Sequence, residues 1–310
     1  MAHWSPQDLP RLDNRCAIVT GANSGLGYYT ARALAAAGAE VILACRNAER
    51  GEAARAKLAA ELPQARLQLQ TLDLADLDSV AAFAQSIAAE REAIDILCNN
   101  AGVMALPLRR TAQGFEMQIG TNHLGHFALT GRLLPLLNAA PAGRIVNTAS
   151  LAHRMTRGMD LDDLNWKHKR YARWDAYGKS KLANLLFTFE LERRLRSHGQ
   201  TAIAVAAHPG YAATHLQAAG PEMSGSRLSL LAMNAANAIF AQSAEQGAEP
   251  QIYAAAMPEV RGGDYWGPDG LRELRGHPRR VRGRRAAYDT DVSARLWDVS
   301  ESLTGVAYLG

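Results

Sequence analysis

The chain has 310 residues, 48% of them hydrophobic and 21% charged, with a formal net charge of +4. That balance belongs to an ordinary globular protein, and so small a charge excess gives no argument for a nucleic-acid partner. Its three cysteines, Cys16, Cys45 and Cys98, form no C-x-x-C pair, which excludes a disulfide framework or a zinc site and makes a reducing cytoplasm the natural setting.

Residues 1–14 are polar, with no apolar signal core. Cys16-Ala-Ile-Val-Thr20 reads as a buried strand, followed by the turn Thr20-Gly-Ala-Asn-Ser-Gly-Leu-Gly27 and an alanine-rich helix that closes at Gly38. Residues 40–45 form a second strand, 48–62 a helix stopped by Pro63, and 66–72 a third strand. A helix over 77–90 leads to strand four, 94–98, which ends in Asn99-Asn100-Ala101-Gly102. One long helix is expected over 114–138, strand five over 144–148, a helix over 175–195 and strand six over 202–207, ending in His208-Pro209-Gly210. A last helix is expected over 289–303, with Leu296 and Val299 inward and Gly305 ending it.

Strands alternating with helices imply an α/β fold: a doubly wound, Rossmann-type parallel sheet of about seven strands, connected right-handedly and covered on both faces. No repeat, low-complexity tract or linker divides the chain, so residues 1–310 are expected to form a single domain. Residues 211–250, rich in Leu, Ala and Met, read as a helical flap over a substrate site, suited to an apolar compound. The most apolar run there, residues 228–240, is interrupted by Asn234 and Asn237 and is too short to span a bilayer, so no integral membrane segment is expected.

The glycine-rich turn between strand one and its helix is the first functional signal. Glycines there let the backbone approach a pyrophosphate, and the helix N-terminus offers free N–H groups and the positive end of its dipole. Candidate cofactor contacts are Gly21, Asn23, Ser24, Gly25, Leu26 and Gly27. The tip of strand two distinguishes NAD, whose ribose hydroxyl wants a carboxylate, from NADP, whose phosphate wants an arginine. Here it reads Ala44-Cys45-Arg46-Asn47, with no acid, which predicts NADP(H) in preference to NAD(H) through Arg46 and Asn47. Asp73, at the tip of strand three, can accept from an adenine amino group, and Asn100, Ala101 and Gly102 let the chain pass close to a ribose.

Tyr177 and Lys181 stand four residues apart on a helix and so share one face. A neighbouring ammonium is expected to lower the pKa of the phenol and make it an acid for a carbonyl or a base for an alcohol. Two other signals point elsewhere and fail. Gly178-Lys179-Ser180 lacks the glycine five positions upstream that a P-loop needs, and His123 and His126 have no partner at metal spacing. Arg272, Arg275, Arg279, Arg280, Arg282, Arg284 and Arg285 form a basic run read as solvated surface, the alternative being contact with an anionic substrate or lipid.

Together the motifs 20–27, Asp73-Leu74, 99–102, Asn122, Ser150, 177–181 and Pro209-Gly210 resemble the short-chain dehydrogenase/reductase family over nearly the whole chain. Leu43-Ala-Cys-Arg-Asn47, Thr121-Asn-His-Leu-Gly-His-Phe127, Ser180-Lys-Leu-Ala-Asn184 and Arg295-Leu-Trp-Asp-Val-Ser300 are similar to its retinol dehydrogenase and WW-domain oxidoreductase branch. The resemblance implies a catalytic group of Asn122, Ser150, Tyr177 and Lys181. In it Ser150 donates to the substrate oxygen, Tyr177 transfers the proton, and Lys181 holds the nicotinamide ribose. Asn122 would link Lys181 to solvent through its carbonyl and a water. Pro209, Gly210 and Thr214 would position the carboxamide, and Leu74 and Asp73 would flank the adenine.

The resemblance also implies homodimers or homotetramers built on the Asn122 and Tyr177 helices. Tyr177 lies 27 residues after Ser150, farther than in many members, and the retinol-type branch shows a similar insertion. The expected activity is hydride transfer between NADP(H) and a small, apolar carbonyl or alcohol substrate. The alternative is a dinucleotide-binding sensor or interaction protein of the same fold with little turnover.

Overall fold

A computed structural model describes residues 4–211 and 242–310. Its strands are β1 (Cys16–Thr20), β2 (Glu40–Cys45), β3 (Arg66–Thr71), β4 (Ile96–Asn99), β5 (Arg144–Thr148), β6 (Ile203–Ala207), β7 (Tyr265–Pro268) and β8 (Pro278–Arg280). They form one sheet in the order β3-β2-β1-β4-β5-β6-β7-β8, parallel up to β7, with β8 antiparallel at the edge. The helices are α1 (Gly25–Ala36), α2 (Ala48–Glu61), α3 (Leu77–Glu90), α4 (Met117–Ile119), α5 (Gly125–Ala139), α6 (Arg173–Ser197), α7 (Ala244–Ala256) and α8 (Thr290–Thr304).

Two apolar layers clasp the sheet. Cys16, Ile18, Ile42, Leu97 and Ile145 pack on one side with Val80, Phe83, Phe127 and Trp297. Their strand neighbours Ala17, Val19, Val41, Leu43 and Val146 pack on the other with Ala31, Leu34 and Ala255. A strand covered on both faces is buried at every position, as β1 is, and its run Cys16-Ala-Ile-Val is apolar up to Thr20. The helix ends follow their sequence signals. The Asp76 carboxylate accepts the Asp78 N–H at the start of α3, and Gly305 closes α8 in the left-handed conformation, φ +67°.

Three elements differ from expectation. The sheet has eight strands among the described residues, because Tyr265-Trp-Gly-Pro268 and Pro278-Arg-Arg280 pair at its far edge. Both are short and contain Pro, and β7 pairs with β6 through only Tyr265 and Trp266, so neither carries a strand's usual sequence pattern. The helix expected over 114–138 begins at Met117 and contains a π-helical turn, Gly120–Leu124, between α4 and α5. Residues 212–241, three-quarters of the expected flap and including Thr214, lie outside the described residues, whereas its last part, from Ala244, is the start of α7, whose Ala248 and Ile252 pack on Ala33 of α1 and so belong to the core. None of the described helices is long and apolar enough to cross a membrane.

The last helix closes the core. Trp297, 1% exposed, meets Phe127, Phe187 and Tyr308 at ring-centroid distances of 5.1, 5.9 and 4.7 Å, and the Arg194 guanidinium lies 4.5 Å over its ring. Trp297→Ala should therefore destabilise the fold by about 3–5 kcal/mol, read as a lower urea midpoint with unchanged slope.

Candidate active site

The strand order reverses between β1 and β4, and in open α/β sheets the crevice at the carboxyl ends of such strands is where ligands bind. The hydroxyl of Thr20, which ends β1, accepts the N–H groups of Asn100 and Ala101 at 2.9 Å each, and the Asn100 side chain donates to the Thr20 carbonyl at 2.7 Å. A Cβ at Gly27 would run into the Gly21 carbonyl and the Asn100 amide, so only glycine allows the turn and the β4 end to close up this way. Ser24 precedes α1 without capping it through its side chain, which leaves the first N–H groups of that helix for an anion. Arg46 is exposed just past β2, and Asn47 caps α2 by accepting the Arg50 N–H at 2.8 Å. These features fit a dinucleotide: a bare helix N-terminus and a turn with no room for a side chain, with an exposed arginine just past β2.

The other expected contacts divide. Asp73 accepts the Ala75 N–H at 2.9 Å, and the capping role falls to Asp76. Leu74 is core, 5% exposed, with its carbonyl tight against Gly125. Gly102 has the Asn122 amide oxygen and the Lys181 ammonium on either side of the position a Cβ would take, at 3.1 and 3.6 Å.

Asn122, Ser150, Tyr177 and Lys181 come together beside this crevice. Tyr177 and Lys181, 5% and 3% exposed, lie on the inner face of α6, with the Lys181 Nζ 6.0 Å from the phenol ring centroid. Lys181 donates to the Thr148 carbonyl at 2.9 Å, and Asn184, one turn on, donates to the same oxygen at 3.0 Å. Asn122 accepts from the Val103 N–H at 2.8 Å and donates to the Val103 carbonyl and the Ser180 hydroxyl, each at 2.9 Å. The Tyr177 phenol faces Ser150, at the end of β5. Burial pushes that phenol up to about 12, with the hydrogen bond from Ser150 acting the other way, and burial pushes Lys181 down to about 8. The lysine was expected to lower the phenol. In the protein alone burial prevails, because the ammonium is directed to the Thr148 carbonyl and both groups are shut from water.

Two residues not expected at the site brace it from behind. His126 sits on α5, just past the π-helical turn. Its Nδ1 bonds the Asn122 carbonyl at 3.0 Å and its Nε2 meets the Thr20 hydroxyl at 3.0 Å. A carbonyl can only accept, so Nδ1 carries the proton and Nε2 receives the hydroxyl hydrogen. Gln251, on α7, takes the Thr148 hydroxyl on its oxygen, and its nitrogen donates to Thr30 at 2.9 Å. The sequence marked His126 only through the Asn-His-Leu-Gly-His spacing, while a lone amide on a distant helix such as Gln251 carries no signal at all. Among the described residues there is no group of three or more His, Cys, Asp or Glu side chains that could hold a metal ion.

A family model for the short chain dehydrogenases matches residues 15–160. Human retinol dehydrogenase 13 is 42% identical over 95% of this chain and 86% of its own length. The chain belongs to the short-chain dehydrogenase family. It is an NAD(P)-dependent oxidoreductase of the retinol dehydrogenase-like kind, and mouse retinol dehydrogenase 14 is 39% identical over 95% of the chain and 87% of its own length. A crystal structure of an uncharacterized protein from Mycobacterium paratuberculosis is 42% identical, covering 99% of each chain with a TM-score of 0.81. A crystal structure described as an NAD(P)-dependent gluconate 5-dehydrogenase from Beutenbergia cavernae, with NADP bound at low occupancy, is 25% identical, covering 82% of this chain and 95% of its own, with a TM-score of 0.64.

Burial also sets the acid limit of this family member. It pushes His123, His126 and His153 down to about 3, 4 and 4. Unfolding releases each to about 6.5, so below that value the unfolded chain binds protons that the folded chain refuses. Stability contributed by the neutral rings is complete above pH of about 6.5 and is lost as pH falls towards about 4. Each ring contributes a slope of up to about 1.4 kcal/mol per pH unit. Urea midpoints measured from pH 7 to 4.5 should fall steeply, and His126→Gln should make the fall shallower.

Proposed function

We propose that the chain reduces an apolar carbonyl compound with NADPH, and oxidises the matching alcohol in reverse, with Tyr177 as the proton-transferring residue. The observation that carries this reading is the buried Tyr177 phenol, beside Ser150 and backed by Lys181, at the switch point of the sheet. Bound NADPH would supply the hydride from its nicotinamide ring. The turn from Gly21 to Gly27 would hold its pyrophosphate, Arg46 its 2′-phosphate, and Lys181 its ribose. Asp73 and Leu74 would lie beside the adenine, and Asn100, Ala101 and Gly102 beside the ribose. Pro209 and Gly210, with Thr214 following, would place the carboxamide.

The chemistry of the chain itself is a proton transfer. With its pKa raised, the Tyr177 phenol is fully protonated at neutral pH, the form a general acid needs. Ser150 donates to the substrate oxygen as negative charge gathers on it, and the phenol then delivers its proton to that oxygen. The Lys181 ammonium stabilises the phenolate left behind, and reaches it more strongly inside a low-dielectric site than it would in water.

A NADP-bound relative and the absence of an acid at the tip of β2 support NADPH over NADH. Three free buried thiols support a reducing, cytoplasmic setting. A homodimer or homotetramer on α5 and α6 would have to form outside the stripe that α8 covers.

Screening aldehydes and ketones against NADPH consumption tests the reading, and Tyr177→Phe should lower kcat by roughly 100-fold or more. Turnover equal to that of the variant, despite tight NADPH binding, would leave only the sensor. Replacing Arg46 by Asp should lower kcat/KM for NADPH by roughly tenfold or more while sparing NADH. Wild-type kinetics favouring NADH by about tenfold would remove the cofactor preference. Reductive turnover should fall as pH rises through about 8, where Lys181 loses its proton, and a flat profile from pH 7 to 10 would contradict the role given to that ammonium.

A further inference from the structure

The serine and the nicotinamide turn lie on different loops, after β5 and after β6, and a hydride transfer depends on their spacing. One carboxylate touches the supports of both. Arg154, four residues after Ser150, donates to the two oxygens of Glu273 at 2.9 and 2.8 Å. His208, the residue before Pro209, meets the same carboxylate through Nε2 at 3.1 Å. The far side of that ring is committed, because the Gly210 N–H donates to Nδ1 at 3.1 Å. With Nδ1 accepting, Nε2 carries the hydrogen and donates to Glu273. The result is an unbroken line from the serine loop, through Arg154, Glu273 and His208, to the N–H of Gly210.

The surroundings show that this line is built and not incidental. His208 is 1% exposed. Burial alone would raise the Glu273 carboxyl, yet the hydrogen bonds from His208 and Arg154 hold it at about 2, so it is ionised at every working pH. To bring the carboxylate there, Arg272 and Glu273 both adopt left-handed backbone conformations, with φ of 53° and 59°. Two successive non-glycine residues in that region cost energy that the contacts must offset, and such strain concentrates at functional positions.

The turn it supports is itself special. Gly210 has φ +64°, and a Cβ there would strike the Leu274 carbonyl. Tyr211 donates to that same carbonyl at 2.7 Å, and Gln242 donates to the Pro209 carbonyl at 2.7 Å. On the serine side, His153 bonds the Ser150 carbonyl at 2.5 Å and receives the Arg284 N–H at 3.2 Å. The segment from Gly270 to Arg285 thus buttresses both loops, and Glu273 is the side chain that joins them.

We propose that Glu273 is a positioning residue for hydride transfer, setting the distance between the serine loop and the nicotinamide turn through Arg154 and His208. The proposal rests on the reading of Ser150 and Gly210 given above. It assigns a role to the acid within the arginine-rich segment, where the sequence drew attention only to the cations.

The test compares Glu273→Ala, Glu273→Gln, His208→Asn and the double variant, with the exposed Arg279→Ala as a charge control. Glutamine keeps the bond from His208 but not the ion pair, and asparagine keeps the bond from Gly210 but cannot reach position 273. Glu273→Ala and His208→Asn should each lower kcat by roughly tenfold with KM for NADPH changed less than about threefold, because misplacement harms the transition state more than binding. Glu273→Gln should lose about threefold, and the double variant should be little worse than either single variant, since all act on one line. The isotope effect with NADPH deuterated at C4 should rise, and the fluorescence of bound NADPH should change as its nicotinamide loosens.

Wild-type kcat and wild-type bound-NADPH fluorescence in the alanine variant would overturn the proposal. So would a loss confined to thermal stability, with turnover per folded molecule intact. If wild type itself reduces no carbonyl compound faster than Tyr177→Phe, the proposed function falls, and the fluorescence of bound NADPH still decides for or against Glu273.

Discussion

A single ammonium determines how the site must be built. Lys181 lies 3% exposed within a parallel sheet's helical cover, where an uncompensated charge would be expelled or neutralised. The carbonyl of Thr148, at the last residue of β5, gives it a partner at 2.9 Å. That bond fixes α6 against the carboxyl end of the sheet. Since Tyr177 is one turn back on the same face, it also fixes the phenol next to Ser150. Side-chain contacts beyond it partner further buried polar groups. Asn184 shares the Thr148 carbonyl, Gln251 takes the Thr148 hydroxyl, and Asn147 donates to Thr188 at 3.1 Å.

The polar network runs from the Tyr177 helix to the glycine-rich turn without interruption. Thr20, Asn100 and Ala101 join β1 to β4, His126 joins Thr20 to the Asn122 carbonyl, and Asn122 joins Val103 to Ser180 on the tyrosine helix. The π-helical turn at Gly120–Leu124 is part of this arrangement, as the place where the helix cannot run straight and still present Asn122 to both neighbours. A carbonyl held by His126 is a fixed acceptor, and its orientation is set by the same histidine that anchors the glycine-rich turn.

How much of this could be read from the sequence depended on the range of the forces involved. Strands β1, β2 and β4 to β6 declared themselves mainly through their buried apolar residues, the edge strand β3 through Leu67 and Leu69 alternating with polar residues, and the helices through caps such as Asp76 and Gly305. Tyr177, Lys181, Ser150 and Asn122 were legible because local spacing and a family resemblance marked them. The pairing of β7 with β8 was not, since Tyr265-Trp-Gly-Pro268 is a strand only by virtue of its neighbours. Nor were Gln251 and Glu273, whose partners lie 103 and 119 residues away in sequence. The direction of the Tyr177 shift failed for a related reason. Adjacency on a helix predicts attraction between ammonium and phenolate, but desolvation depends on everything packed around the pair.

That reversal bears on how the site divides its work. A phenol pushed upward and a lysine pushed downward hold their protons on opposite terms. The phenol keeps its proton through the neutral range, and the ammonium gives its proton up more readily than a surface lysine does. An acid in this state is ready without preparation, whereas a phenolate would have to be created against the same burial. What the packing supplies is a dry, rigid setting for the pair, held by the buried partners of Lys181 and Asn122.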